Sequence, residues 1–325
     1  MSFPLYRRPG GVAFLDDDPA FLDMLGLVLP EHWHVRFFLQ PHDCINALQQ
    51  EPSLWEMDAW KMQSIADEAR DGRSPLTSML NYWKSDTERY RLTRVCMVDY
   101  YMPAMNGIKV LDELCLWAGT RVLLTGQADE SIAVTAFNQG LIDRFVTKQS
   151  PNMAKLLSDI VTQSMDAAHS RHEQIWRSTL TPQHIAWLKT PSIGKHLNEL
   201  LKGIDCVEHV VIGKPFGILM LNAAGQAFWL QLESMEGLAE LAELARSQDM
   251  RAEDVAAIQA GSKMPNLELS QALGLPHAVQ LRDAVILGGD SNLHAALFEL
   301  GPELSPGSPF SYAHFIAGLP KRSLQ

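Results

Sequence analysis

The first 150 residues alternate between short apolar segments and segments with helical periodicity, and four of the apolar segments end on polar side chains. These ends are Asp16-Asp17, Asp99, Thr125 and Lys148. Such alternation predicts β-α units wound into a parallel sheet, and parallel strands bring their carboxyl ends to one edge. The sequence therefore predicts an α/β domain of five β-α repeats with these side chains grouped at one edge of a doubly wound sheet.

Each polar end could also have a purely structural role. The acids at 16–18 could cap the helix that follows them, and Asp99 could cap a helix beginning near Asn106. Thr125 could cap a helix as well, and Lys148 could be a solvated charge. Three adjacent acids repel one another, however, and hard oxygen ligands of this kind suit Mg²⁺ or Mn²⁺. The acid cluster on its own therefore fits both a helix cap and a metal site.

The four residue types together supply the groups that phosphoryl transfer needs. A carboxylate such as Asp99 can act as a nucleophile towards a phosphoryl group. A bound metal screens the charge of the phosphoryl oxygens and of the acids. The hydroxyl of Thr125 and the ammonium of Lys148 can bind the remaining phosphoryl oxygens. The set predicts a site for phosphoryl chemistry.

Residues 10–150 resemble the receiver domain of two-component response regulators. The resemblance is carried by Asp16-Asp17, by Asp99 with Met102-Pro103-Ala104-Met105-Asn106-Gly107 after it, by Thr125 and by Lys148. It implies a (β/α)₅ fold in a signalling protein rather than a metabolic enzyme. It also implies phosphorylation of Asp99 by a histidine kinase or a phosphotransfer protein.

The resemblance assigns further roles around this aspartate. Asp17, Asp99 and the backbone carbonyl of Tyr101 are implied to hold Mg²⁺, or Mn²⁺, and Asp16 is implied to assist through a water molecule. Thr125 and Phe145 are implied to form the switch pair, in which the hydroxyl moves to the phosphoryl group and the ring turns inward.

Two features depart from the pattern of receiver domains. Gln149 follows Lys148, where these domains usually have a proline in a cis peptide. Because a cis peptide before a residue other than proline is costly, the sequence predicts either a trans bond or a strained one here. The separation of Asp17 and Asp99 is nearly double the usual one, and an insertion at residues 51–92 accounts for the excess.

Two stretches resemble a narrower group, the response regulators of α-hydroxyketone quorum-sensing systems. They are residues 124–130 and residues 136–145. This resemblance predicts a role in quorum sensing and does not predict one particular output, because the outputs of that group are heterogeneous.

In the insertion at residues 51–92, the spacing of apolar residues predicts two amphipathic helices, and the glycine and proline at residues 72–75 predict a break between them. Three tryptophans lie in it, Trp55, Trp60 and Trp83. One interpretation is a helical hairpin that covers its own domain. The other is a surface for a partner or for a second copy, because aromatic side chains dominate such contacts.

Beyond the receiver domain, placed at residues 1–150, the sequence predicts a linker and a second domain. Residues 151–203 comprise the fifth receiver helix and a helical linker; their apolar stripe fits either a dimerising signalling helix or a plain connection. Residues 204–325 predict a smaller α+β output domain of unknown activity. Residues 213–217 of that domain could bind an anion, although they lack the spacing of a phosphate loop.

Charge weighs against a nucleic-acid partner. The whole chain has a formal net charge of −11, and residues 190–325 contain nine basic and fifteen acidic side chains, a net charge of −6. We therefore expect a non-DNA-binding output domain. Separately, we expect a homodimer, because most soluble oligomers are symmetric assemblies of identical chains. Two alternatives are a small-ligand, nucleotide-binding or catalytic output domain, and a transcription regulator.

The four cysteines and the hydropathy pattern predict a compartment. None of the cysteines forms a C-x-x-C pair. Few cysteines without paired spacing are typical of proteins in reducing compartments. The chain contains no run of 18 apolar residues. We therefore expect a cytoplasmic protein without a membrane partner.

Overall fold

The computed structural model describes residues 3–126, 130–167, 170–275, 279–289, 292–320 and 322. Its strands are β1 (Tyr6–Arg7), β2 (Gly11–Leu15), β3 (His34–Phe38), β4 (Thr93–Asp99), β5 (Thr120–Thr125), β6 (Arg144–Thr147), β7 (Cys206–Gly213), β8 (Phe216–Asn222), β9 (Ala227–Ser234), β10 (Lys263–Pro265), β11 (Leu281–Asp283), β12 (Val285–Ile286) and β13 (Leu293–Glu299). Its helices are α1 (Pro19–Val28), α2 (Pro41–Gln49), α3 (Pro52–Arg70), α4 (Pro75–Ser85), α5 (Gly107–Glu113), α6 (Glu130–Asn138), α7 (Met153–Ala167), α8 (Ser170–Arg177), α9 (Pro182–Lys189), α10 (Pro191–Gly203), α11 (Met235–Ser247), α12 (Ala252–Gln259), α13 (Leu267–Leu273) and α14 (Tyr312–Gly318).

The described residues divide into two compact units. The parallel-sheet unit takes its residues from Arg8–Lys61, Glu88–Arg171 and Phe315–Gln325. The antiparallel-sheet unit takes its residues from Met1–Arg7, Met62–Thr87 and His172–His314. Among the described residues, no helix is both long enough and apolar enough to span a bilayer.

The parallel-sheet unit is built on five parallel strands in the order β3-β2-β4-β5-β6. Every residue of β2 and β4 is buried, because successive side chains point into separate apolar layers on the two faces. One layer includes Cys96 and Val98 with residues of α2, α5 and α6, and the other includes Val95 and Met97 with residues of α1 and α7. The predicted (β/α)₅ fold is therefore confirmed.

The antiparallel-sheet unit contains a six-stranded sheet in the order β1-β7-β8-β9-β13-β12 and a separate β10-β11 pair. Its largest ladders join β7, β8, β9 and β13 in antiparallel register. Helices α11 and α12 contribute Leu238, Leu241 and Ile258 to the core of this unit. The predicted second domain of α+β type is confirmed.

The predicted insertion consists of α3 and α4, and its second half belongs to the antiparallel-sheet unit. Leu76, Met79 and Trp83 of α4 are buried in the core of that unit. The compact units therefore divide the chain differently from the boundaries 1–150, 151–203 and 204–325, because the apolar face of α4 is covered by this core. In α3, Trp55 is buried, whereas Trp60 is 70% exposed.

The segment predicted as one or two linker helices forms α7 and α8, and residues 168–169 between them lie outside the described residues. Leu157 and Val161 of α7 pack in the parallel-sheet unit, as expected of a fifth receiver helix. Ile175 and Trp176 of α8 pack in the core of the antiparallel-sheet unit. The apolar stripe of this segment is thus divided between two cores.

Candidate functional site

Asp16 follows β2 directly and is almost completely buried, with 1% of its surface exposed. Its Oδ1 accepts a hydrogen bond from the backbone N–H of Asp18 at 3.1 Å. The side chain of Asp18, in turn, accepts from the N–H of Ala20 and caps α1. The helix-cap role therefore falls to Asp18, and Asp16 and Asp17 are left for another role.

Asp99 is the last residue of β4 and is buried. Its Oδ2 accepts a hydrogen bond from the backbone N–H of Tyr101 at 3.1 Å. Asn106, and not Asp99, caps α5, because its side chain accepts from the N–H of Lys109 at 3.0 Å. A Cβ atom at Gly107 would overlap the backbone oxygen of Asp99, which explains the glycine at the start of this helix.

Lys148 joins the ends of two strands. Its ammonium nitrogen lies 2.6 Å from Oδ2 of Asp16 and 2.7 Å from Oδ1 of Asp99. Its backbone N–H donates to the carbonyl of Thr125 at 2.8 Å, which ties the loop to the end of β5. The Lys148–Gln149 peptide is not among the cis bonds of the chain. The trans alternative therefore holds, and a trans bond still allows the lysine to contact both acids.

Burial and charge act in opposite directions on these three groups. Burial raises the pKa of Asp16 and of Asp99, and the hydrogen bonds and the charge of Lys148 oppose this rise without cancelling it. Burial alone would lower the pKa of Lys148. Its hydrogen bonds to the two carboxylates, together with their charges, outweigh burial and raise the pKa of this lysine.

The acids at this edge also fit a divalent cation. Asp16, Asp17 and Asp99 each offer a carboxylate oxygen, and these atoms lie within 4.8 Å of one another. Mg²⁺ prefers hard oxygen ligands and is often bound through one or two carboxylates. Asp17 is exposed whereas the other two acids are buried, so the cluster faces solvent on the side of Asp17.

Thr125 and Phe145, the expected switch pair, lie near the ends of neighbouring strands. The Thr125 side chain is fully buried, and its hydroxyl donates to the carbonyl of Val146 at 3.4 Å rather than to an acid of the cluster. Phe145 pairs in register with Leu123 on β5, and its ring is 38% exposed. The structure therefore groups Asp16, Asp99 and Lys148 by direct contact and places Asp17 beside them, but it does not bring Thr125 or Phe145 into contact with the acids.

Sequence reasoning missed Phe21, which is part of the site. The ammonium nitrogen of Lys148 lies 4.6 Å from the centre of the Phe21 ring, within the range of a cation–π interaction. Phe21 stands in the first turn of α1, next to the acid cluster. In the sequence, Phe21 is recognisable only as one apolar residue of a helical stripe. Hydropathy does not reveal that its ring contacts a cation.

Comparison with known proteins supports the fold. No protein-family model and no curated protein matches the sequence. Among solved structures, the response regulator LqsR of Legionella pneumophila is 20% identical, with a TM-score of 0.74, and the alignment covers 98% of each chain.

Two further structures match part of the chain. An adenylate cyclase from Rhodopirellula baltica is 18% identical over 60% of this chain and 98% of its own, with a TM-score of 0.32. A response regulator receiver domain protein from Clostridium thermocellum is 16% identical over 49% of this chain and 95% of its own, with a TM-score of 0.31. Neither score establishes a shared fold. The parallel sheet, its acidic edge and the match over almost the full length agree: the chain has the fold of a response regulator with a receiver domain.

Proposed function

We propose that the protein is a response regulator that accepts a phosphoryl group on Asp99 from a histidine kinase or a phosphotransfer protein. The observation that carries this proposal is the contact of Lys148 with both Asp16 and Asp99 at one edge of the parallel sheet. The fold supports the same proposal. The narrower sequence resemblance adds a quorum-sensing input to it.

In this proposal an oxygen of Asp99 attacks the phosphorus atom of a phosphohistidine. The bond between phosphorus and the donor nitrogen breaks, and its electron pair stays with the nitrogen. Lys148 binds one phosphoryl oxygen, and the Thr125 hydroxyl exchanges the Val146 carbonyl for another. Phe145 then turns inward.

Asp17, Asp99 and the Tyr101 carbonyl would hold the Mg²⁺ ion, and Asp16 would assist through a water molecule. When bound, this ion screens the charge of the phosphoryl oxygens and of the acids. Asp16 and Asp99 are already oriented by backbone N–H groups, from Asp18 and Tyr101. The protein itself therefore positions the carboxylates on which the ion depends.

The proposed output is signalling through the antiparallel-sheet unit, or through a partner protein, without DNA binding. The net charge of −6 in residues 190–325 supports it, because an acidic surface repels phosphate. A homodimer and a location in the cytoplasm belong to the same proposal. Retention of DNA at low salt, in either phosphorylation state, would favour the transcription regulator instead.

The test is phosphorylation of the full chain with labelled acetyl phosphate or phosphoramidate in the presence of Mg²⁺. We expect one phosphoryl group per chain in the wild type and none in Asp99→Asn. Asp112→Asn is the matched control, because it makes the same substitution at an exposed position on α5. Label that persists in Asp99→Asn would refute the assignment of the acceptor.

A further inference from the structure

The antiparallel-sheet unit contains a cleft of about 980 Å³. Its walls are the turn between α3 and α4, residues 178–179, the turn between β7 and β8, and α13. Clefts that bind small molecules in proteins typically measure about 300–1,000 Å³. This cleft is therefore large enough for a metabolite, and none of the groups proposed for phosphoryl transfer lines it.

The charges that line the cleft are mostly positive, although the chain as a whole carries a net charge of −11. Among the described lining residues, Arg70, Arg73 and Lys214 are basic, and Glu268 is acidic. The first turn of α4 also lines the cleft, and the N-terminal end of a helix carries a partial positive charge. Asp67 and Glu68 pair with the two arginines, so it is the unused N–H donors and the helix end, rather than a net positive charge, that suit an anion.

The two arginines are largely exposed, and each is paired with an acid in a way that leaves donors available. Arg70 donates to Asp67 at 2.6 Å and to the hydroxyl of Ser178 at 3.1 Å. Arg73 lies 3.6 Å from Glu68. Because a guanidinium group has five N–H donors, both side chains can still donate to a ligand.

Lys214 is the third donor, and it lies in the turn that the sequence indicated as a candidate anion loop. Among the described residues, its ammonium makes no hydrogen bond and no ion pair, although its charge interacts with that of Glu268 on the same cleft. By contrast, hydroxyl groups of the cleft donate to protein acceptors: Ser78 to Glu68, and Thr77 to the carbonyl of Ala272. The basic side chains are therefore the main donors that a ligand would meet.

The rest of the lining includes apolar surface. It comes from Ala66, Ala69, Pro75, Pro215, Ala272 and Leu273. We propose that this cleft binds a small organic anion, whose phosphate or carboxylate group contacts Arg70, Arg73 and Lys214 while its apolar body packs on this surface. The proposal does not depend on phosphorylation of Asp99.

The test uses three probes with one ring system: 1-naphthyl phosphate, 1-naphthoate and neutral 1-naphthol. Binding to the full chain is measured by calorimetry and by ligand-observed NMR, in EDTA so that the acidic site holds no metal. We expect saturable binding of an anionic probe and much weaker binding of 1-naphthol. The anion that binds more tightly identifies a phosphate or a carboxylate ligand.

The double variant Arg73→Gln, Lys214→Gln locates the binding site. We expect it to weaken binding of the anionic probe about tenfold or more, because charge-assisted hydrogen bonds are lost. Arg246→Gln, Arg251→Gln removes the same charge from exposed positions elsewhere in the unit, and we expect a change within about twofold.

Two further variants distinguish loss of this cleft from misfolding and from binding at the acidic site. Lys214→Gln alone changes one exposed turn residue, and it replaces the double variant in the binding measurement if the double variant does not fold. Asp99→Asn is expected to bind the anionic probe as the wild type does. The proposal is wrong if neither anion binds, if 1-naphthol binds equally well, or if the variants in the cleft keep wild-type affinity.

Discussion

The ammonium nitrogen of Lys148 lies 2.7 Å from Oδ1 of Asp99, although the two residues are 49 positions apart in the sequence. The same nitrogen lies 2.6 Å from Asp16. One cation therefore neutralises carboxylates at the ends of two neighbouring strands, and in the proposed reaction it would bind a phosphoryl oxygen.

Lys148→Ala is expected to slow phosphorylation of Asp99 by phosphoramidate about 100-fold, because a preorganised cation at the developing charge is lost. The rate is measured by separating phosphorylated from unphosphorylated protein over time at saturating Mg²⁺. Lys109→Ala, at an exposed position on α5, is the control and is expected to react at the wild-type rate. Equal rates for the two variants would exclude Lys148 from the reaction.

Asp17→Asn is expected to weaken Mg²⁺ binding about tenfold or more, because it removes one charged oxygen ligand. The measurement is the rise in Tm with Mg²⁺ concentration, since a ligand at 100 times its Kd stabilises the folded state by about 2.7 kcal/mol. Asp23→Asn, on the exposed side of α1, should leave the Mg²⁺ response unchanged. An unchanged response in Asp17→Asn would remove this residue from the metal site.

Trp83→Ala is expected to destabilise the protein by about 3–5 kcal/mol, because it leaves a large cavity in the core of the antiparallel-sheet unit. Trp60→Ala is the matched control: the same substitution at a side chain that is 70% exposed should cost less than about 0.5 kcal/mol. Urea unfolding of both variants measures the difference. Similar losses would contradict the placement of α4.

Glu233 gives the antiparallel-sheet unit a dependence on pH. Burial, and then the charge of Glu268, raise the pKa of Glu233 from its ordinary value of 4.5 to about 8. Between these two values the folded state holds a proton that the unfolded chain has lost. The contribution of Glu233 to stability is therefore largest below the lower value and falls as the pH rises towards 8, by up to about 1.4 kcal/mol per pH unit.

Glu233→Gln should reduce the loss of stability with rising pH, because a neutral amide has no proton to release. Urea unfolding at a series of pH values between 4.5 and about 8 measures the free energy of unfolding and its dependence on pH. Glu236→Gln, the same substitution at an exposed residue of α11, should keep the wild-type slope. A wild-type slope in Glu233→Gln would show that another group causes the dependence.

Much of the parallel-sheet unit follows from local pattern. Strands such as β2 and β4 are short apolar runs because helices cover both faces of their sheet, and polar residues mark their ends. Elements such as β1, β10 and α13 were not predicted. They are two, three and seven residues long, too short for a hydropathy period to distinguish them from loops.

The sequence by itself determined the (β/α)₅ fold and the residue types of the acidic site, because strand period and polar strand ends are local properties. Only the tertiary structure decided which tryptophans of the insertion are buried, since Trp55, Trp60 and Trp83 all lie on amphipathic helices. It alone showed the contact between Lys148 and the Phe21 ring, and the cleft lined by Arg70, Arg73 and Lys214. These features depend on which segments, distant in the sequence, come into contact. The burial of apolar surface across the whole chain determines those contacts.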